Sequence, residues 1–347
     1  MISSDELTAR LRKLENQRDD GPWPIEGIRL LGEAGCWQNV IARDFGGTQV
    51  APHAQLGAYE SIAAGSLTLA LILTQHDGAC ELLGDCENSA LAAELLPRCA
   101  RGEVLTTVGL SQLTTSRRFG GPALRAQPIA DGYSLNGVIP WVTSAPAARY
   151  IVTGAVLDDS RQVLLCVPTD LPGLHIGEPL DLMALRSSWT CEVACEGVTV
   201  PNSHLLCGPT ERVLARRAAV KPLVVSAVGL GLAQAMLDEI RTRARSLPAA
   251  AERVDDRILP AYENIRTQLA DAVDAVSDPD AEIASTEIRL AVNDLLVRLA
   301  VTMMTLAKGS GYVTSHPAQR LAREAMFFLV WAAPPQVQTG VIERMWP

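Results

Sequence analysis

Five histidines, eight cysteines and thirty-nine carboxylates are the raw material for chemistry in this 347-residue chain, and their spacing excludes more than it offers. His53, His76, His175, His204 and His316 are scattered, so each is expected to cap a helix or face solvent. Ser66, His76 and Asp77 lack nucleophile-to-base spacing, and no Gly-x-Ser-x-Gly elbow presents a serine. Gly120-Gly121-Pro122 lacks the lysine and helix that a phosphate loop requires. The cysteines, at 36, 80, 86, 99, 166, 191, 195 and 207, form no Cys-x-x-Cys pair and have no histidine at ligand spacing, so no metal site is expected. Cys191 and Cys195 share one face of a strand and are expected to pack as small buried hydrophobes.

The net charge of −9 and pI near 5.2 oppose nucleic-acid binding, since phosphate recognition needs a concentrated positive face. Arg117-Arg118 and Arg216-Arg217 are too short to change that. The first six residues are polar, without a signal peptide's basic start and apolar middle, and the longest apolar runs, such as Leu67 to Leu73, are too short for a bilayer. A reducing cytoplasm and no membrane are therefore expected.

The positioning elements divide into three expected units: a helical one over 1–105, a β unit over 106–208 and a four- to five-helix bundle over 209–347. Ser4 is placed to cap a helix through Leu14, Pro24 to start one ending at Gly35, and Ala54 to Ala64 has helical periodicity. Asp131 to Ser144 reads as strand, Asn136-Gly137 turn, strand, because that dipeptide reaches positive φ at little steric cost. Strands are expected over Tyr150–Val156, Gln162–Val167 and Thr190–Val200. Helices are expected over Leu223–Arg245, Ile258–Val276 and Ile283–Lys308, with a glycine break at Gly309-Ser310-Gly311 and a further helix after His316-Pro317.

This α+β order, with several motifs in register, resembles the acyl-CoA dehydrogenase family over nearly the whole chain. The matching stretches are Leu31–Gly35 with Asp44–Gly47, Asp131–Gly137 running into Trp141-Val142-Thr143, Leu185–Ser188, Val198–Pro201, Gly229–Gln234, Gly309–Tyr312 and Arg323-Glu324-Ala325. The resemblance implies an N-terminal helical domain, a middle β-barrel or sandwich and a C-terminal bundle, with FAD between the last two and in many members across a dimer interface. It further implies that Ser111, Trp141, Thr143 and Ser144 contact the flavin, that Gly309 and Gly311 form the turn at which a neighbouring subunit approaches FAD, and that Arg117 and Arg118 lie near the phosphates of cofactor or acyl-CoA substrate. His316 follows that glycine turn and is worth watching for the same reason.

Two departures are visible. The family's glutamate base is replaced by Ala332, in Trp331-Ala332-Ala333-Pro334, and the alternative base position near Lys221-Pro222 also lacks a carboxylate. Asp238, Glu239 and Glu324 have the ordinary reading of helix-surface or ion-paired acids. The Arg-x-x-Phe-Gly motif that contacts the partner's FAD is missing, leaving Arg253 as a substitute. Phe327, Phe328 and Trp331 have one-face spacing, for a core or for an acyl pocket. The expectation is an FAD-dependent oxidoreductase acting on an acyl-CoA or acyl-carrier substrate as a homodimer or homotetramer, with the catalytic base unassigned. The alternatives are a non-catalytic subunit paired with a base-bearing paralogue, a pseudoenzyme, or a flavin-dependent oxygenase.

Overall fold

The computed structural model describes residues 2–17, 21–114, 122–215, 221–275 and 281–346. Five helices come first: α1 (Ser4–Gln17), α2 (Ile25–Glu33), α3 (Pro52–Gly65), α4 (Leu67–Gly84) and α5 (Ser89–Ala100). Their ends follow local chemistry. Ser66 and Asn88 accept from the Leu69 and Leu91 amides at 3.3 and 3.1 Å and so cap α4 and α5. At α1 the accepting hydroxyl belongs to Ser3, 3.2 Å from the Glu6 amide, and not to Ser4 as expected, because the cap lies one residue earlier.

The middle of the chain contains β1 (Thr106–Gly109), the one-turn α6 (Ser111–Thr114), β2 (Leu124–Ile129), β3 (Gly132–Val142), β4 (Tyr150–Val156), β5 (Gln162–Pro168), β6 (Leu174–Ile176), β7 (Cys191–Val200) and β8 (Leu205–Thr210). They form a mixed sheet of order β6-β7-β3-β2-β4-β5-β8, with β1 added parallel to β4. The halves meet through one parallel bridge, Arg125 to Val156, and the apolar residues of both close on a common core that includes Cys191 and Cys195.

The Asn136-Gly137 turn is not where the chain reverses. β3 runs unbroken through it, and the β2–β3 hairpin turns at 130–131. Gly137 does take φ +125°, but inside the strand, beside a bulge against β7. A Cβ there would lie 2.2 Å from the Ala123 carbonyl oxygen, and Asn136 Oδ1 accepts from the Gly197 amide at 2.9 Å. The dipeptide signals an irregular backbone, and here the irregularity is a bulge.

The last segment consists of α7 (Lys221–Ala244), α8 (Pro248–Arg253), a π-helical turn over Val254–Ile258, α9 (Leu259–Asp274), α10 (Ala281–Ala307), α11 (Pro317–Phe327) and α12 (Pro335–Met345). All of these helices but α12 share one apolar core with α1 to α4, and α12 packs through Val337 and Val341 on Leu290 of α10 and Ala333. At Gly231 the backbones of α7 and α3 nearly touch, since a Cβ would lie 2.1 Å from the Glu60 carbonyl oxygen. Arg12 of α1 pairs with Asp238 of α7 at 2.8 Å, and Tyr262 of α9 donates to Glu60 of α3 at 2.9 Å, so the first and last helical segments are tied at further points. By length and composition α7 and α10 are apolar enough to cross a membrane, which short apolar runs did not suggest, but most of α7's apolar stretch lies inside this core.

Candidate functional site

The site is built where β3 ends. Gly109, at the end of β1, has no room for a side chain: a Cβ would lie 2.5 Å from Ile139 Cγ2 and 3.2 Å from Val142 Cγ2. This closeness brings α6 against β3. Gln112 then fixes α6, its Nε2 lying 2.9 Å from the Gly109 oxygen, Thr153 Oγ1 and the Gly154 oxygen. Ser111 is carried to the same place, and its buried Oγ has no hydrogen-bond partner among the described residues.

Strand alternation sends Val142 into the core and Trp141 outward, so the indole is 48 % exposed and is not a core residue. The following residues are held by hydroxyls. Thr107 Oγ1 donates to the Thr143 oxygen at 2.7 Å, Thr143 and Thr190 hydroxyls meet at 3.2 Å, and Thr190 meets Ser188 at 2.8 Å. Ser144, at φ +62°, donates its amide to the Ser188 oxygen at 2.9 Å. Each of these hydroxyls is buried, so the network is a rigid mount for a half-exposed indole.

The rim beside it is the loop before β7. Leu185 and Trp189 take φ +63° and +47°, costly conformations that the surroundings enforce. Trp189 donates Nε1 to the Gly21 oxygen at 3.0 Å and packs on Trp23 with centroids 5.2 Å apart, while Ser187 accepts the Gly21 amide at 2.8 Å. Arg323 of α11 donates to the Met183 oxygen. Two motifs far apart in the chain, Leu185–Ser188 and Arg323–Ala325, are thus brought to one edge of the sheet.

After α11 the chain turns through 328–332. Arg289 of α10, only 5 % exposed, donates Nη2 to the oxygens of Phe328 and Trp331 at 2.5 and 3.0 Å, and its guanidinium lies 5.6 Å from the Phe328 ring centroid. Burial pulls its pKa down to about 9, so it stays charged at neutral pH. Ala332 ends this turn exposed at φ +45°, and offers no carboxylate. Phe328 is a core residue, whereas Phe327 and Trp331 are part-buried and stacked at 5.1 Å. Asp238, Glu239 and Glu324 are ion-paired with Arg12, Arg243 and Arg320 at 2.8, 2.6 and 2.9 Å.

Other expected residues fall elsewhere. Gly309 and Gly311 lie in a short 3-10 turn packed on α10 and α11, Gly309 facing open space and Gly311 against Ala307. His316 caps α11, accepting the Ala318 amide at 3.0 Å, and meets Arg243. Arg253 is exposed. Arg117 and Arg118 lie outside the described residues, as does the side chain of Lys221. Two cavities, of about 320 and 280 Å³, adjoin α4 and α2; neither is lined by Ser111, Trp141 or Thr143. Sequence reading passed over Arg289 and Asn293. Both side-chain atoms of Asn293, Arg289 Nη1 and Ser226 Oγ on the facing α7 are buried without hydrogen-bond partners among the described residues. The available signal was an arginine and an asparagine four apart within an otherwise apolar helical stretch.

Comparison with known proteins gives a consistent picture. Residues 2–103 match the family model for the acyl-CoA dehydrogenase N-terminal domain. A probable acyl-CoA dehydrogenase of Bacillus subtilis, YngJ, is 26 % identical, with 95 % of this chain and 92 % of that protein covered. Butyryl-CoA dehydrogenase from Megasphaera elsdenii superposes with a TM-score of 0.86 at 19 % identity, covering 99 % of this chain and 96 % of the other. The prolyl acyl carrier protein oxidase AnaB superposes at 0.82 with 17 % identity, covering 99 % and 98 %.

Proposed function

This chain belongs to the acyl-CoA dehydrogenase family, and from that premise we propose that it is an FAD-dependent oxidoreductase acting on an acyl thioester, CoA-linked or carrier-bound. The observation that carries the reading is a pair of unmet valences at the end of β3: a half-exposed indole on a rigid mount and the partnerless buried hydroxyl of Ser111. A flavin ring fits that donor set, because it needs a flat apolar wall and a few aimed polar groups. Trp141 would lie against the ring, with Ser111 and the Thr143–Ser144 segment at its polar edge. Bound flavin supplies a two-electron acceptor for hydride. The hydroxyl network holds the wall in place, and the Arg323 tie holds α11 against the sheet rim. A homodimer or homotetramer in the cytoplasm is part of this reading.

The test is the visible spectrum and melting temperature of the purified protein with and without added FAD. Bound flavin, or a melting temperature that rises with FAD, supports the reading. Colourless protein whose melting ignores FAD overturns it.

A second reading is favoured by Ala332: the chain is the base-lacking subunit of a hetero-oligomer. An α-proton cannot leave to a methyl group, and a missing general base costs typically ~10²- to 10⁴-fold. The turn is nonetheless held in shape by Arg289. Co-expression with a glutamate-bearing family member separates the two readings. Stable co-purification with activity only in the mixture supports the second, and turnover by this chain alone excludes it.

A further inference from the structure

We propose that His76, Cys80 and Cys99 form a buried site for Zn²⁺. His76 and Cys80 are one helical turn apart on α4 and face α5, which contributes Cys99, and β1. The linear spacing conceals this, since the third residue comes from another helix. One ligand atom from each lies within 4.8 Å of the others, and all three residues are buried. Cys80 Sγ is 3.5 Å from His76 Nε2. Zinc bonds of ~2.0 Å to nitrogen and ~2.3 Å to sulfur at a tetrahedral angle put those atoms roughly 3.5 Å apart, so this edge needs no rearrangement.

The surroundings suit a cation. His76 Nδ1 lies 3.0 Å from Thr106 Oγ1 and 3.3 Å from the Thr106 oxygen. In the tautomer with hydrogen on Nδ1 these oxygens accept it, leaving the Nε2 lone pair for metal, the arrangement that orients most ligating histidines. The Thr106 amide, 3.2 Å from Nδ1, favours the opposite tautomer when no cation is present. The Thr106 hydroxyl also reaches Cys80 Sγ at 3.7 Å, positioned to donate to its thiolate.

Charge chooses the metal. Two thiolates neutralise a dication, so the ligated unit is electrically neutral in a place where a net charge is costly. Binding breaks two S–H bonds, forms two Zn–S bonds and one Zn–N bond, and releases both protons to solvent. A water completes four-coordination. Cys80 also lines the cavity of about 320 Å³, together with Glu81 and Asp85. On another side the Trp37 ring packs edge-on against His76 at 5.0 Å.

The test uses the full chain stripped with a chelator and titrated with Co²⁺, whose tetrahedral thiolate complexes show intense visible bands and near-ultraviolet sulfur-to-metal charge transfer. The expected result is saturation at one Co²⁺ per chain and displacement by Zn²⁺. Cys80→Ser and Cys99→Ser should each weaken the charge-transfer band and His76→Gln should shift the visible bands, while Cys195→Ser, in the sheet core, leaves the spectrum unchanged. No charge-transfer band in folded wild type, or bands indifferent to Cys80→Ser and Cys99→Ser, overturns the proposal. Should those variants not fold, wild-type melting decides: a rise with equimolar ZnCl₂ that chelator reverses supports the site, and an unchanged melt refutes it. None of these outcomes depends on whether flavin binds.

Discussion

Replacing Gly231 by alanine tests how the two ends of the chain are joined. The new Cβ would sit 2.1 Å from the Glu60 carbonyl oxygen, 2.7 Å from Ala63 Cβ and 2.9 Å from the Glu60 carbonyl carbon. Carbon atoms prefer separations of ~3.5–4.0 Å, so α3 and α7 must part by on the order of 1 Å. Two of the three obstacles are backbone atoms and cannot rotate away. Overpacking of this kind costs about 1–3 kcal/mol. A clash with backbone places the cost in the upper part of that range, about 2–3 kcal/mol, and alanine's helix propensity returns at most about 1 kcal/mol, so the net loss is about 1–2 kcal/mol. Gly57, exposed on α3 with nothing within 4 Å of a Cβ, is the control. Gly57→Ala should gain about 0.5–1 kcal/mol from propensity alone. Denaturant midpoints of the three proteins should therefore fall in the order Gly57→Ala, wild type, Gly231→Ala. A Gly231→Ala protein as stable as wild type would refute the close approach of these helices.

Further outcomes follow from the site. Ser111→Ala in cofactor-free protein should be neutral or stabilising, since it removes a buried hydroxyl without a partner, yet it should weaken FAD binding by on the order of tenfold, about 1.4 kcal/mol; equilibrium titration measures both. Ala332→Glu places a carboxylate at the base position, on an exposed residue whose positive φ alanine already tolerates; exchange of the α-proton of an acyl thioester should rise by ~10²-fold or more, and no change would detach Ala332 from the chemistry. Arg289→Ala should destabilise by about 2–4 kcal/mol, because it strips a charged donor from the buried Phe328 carbonyl and the part-buried Trp331 carbonyl, and proteolysis should then cut after α11 first.

Much of the scaffold was legible because it is local. Tyr150–Val156 is strand β4 residue for residue, Cys191 and Cys195 are buried in the sheet core, and Pro317 stands at the first position of α11 as expected, whereas Pro24 sits one residue before α2. The Asn136-Gly137 turn misled because positive φ is shared by hairpins and bulges, and only the partner strand decides between them. The mount of Trp141 was half legible. Alternation places the indole outward, but Thr107 comes from β1, and Ser188 and Thr190 from the loop before β7, to meet Thr143 and Ser144, and no sequence spacing reveals these pairings. His76 was expected at a surface or cap and is buried, because its partners Thr106 and Cys80 draw it inward. Arg289 was hidden for a different reason: its acceptors are backbone oxygens, which leave no mark on the sequence.

The most direct measurement is titration of FAD into wild type and Trp141→Ala while following flavin fluorescence. If the indole is the wall of a flavin site, wild type quenches the emission on binding, and the variant, which loses little stability because the ring is half-exposed, binds more weakly and quenches less. Identical curves for the two proteins, or no binding by either, would contradict the account.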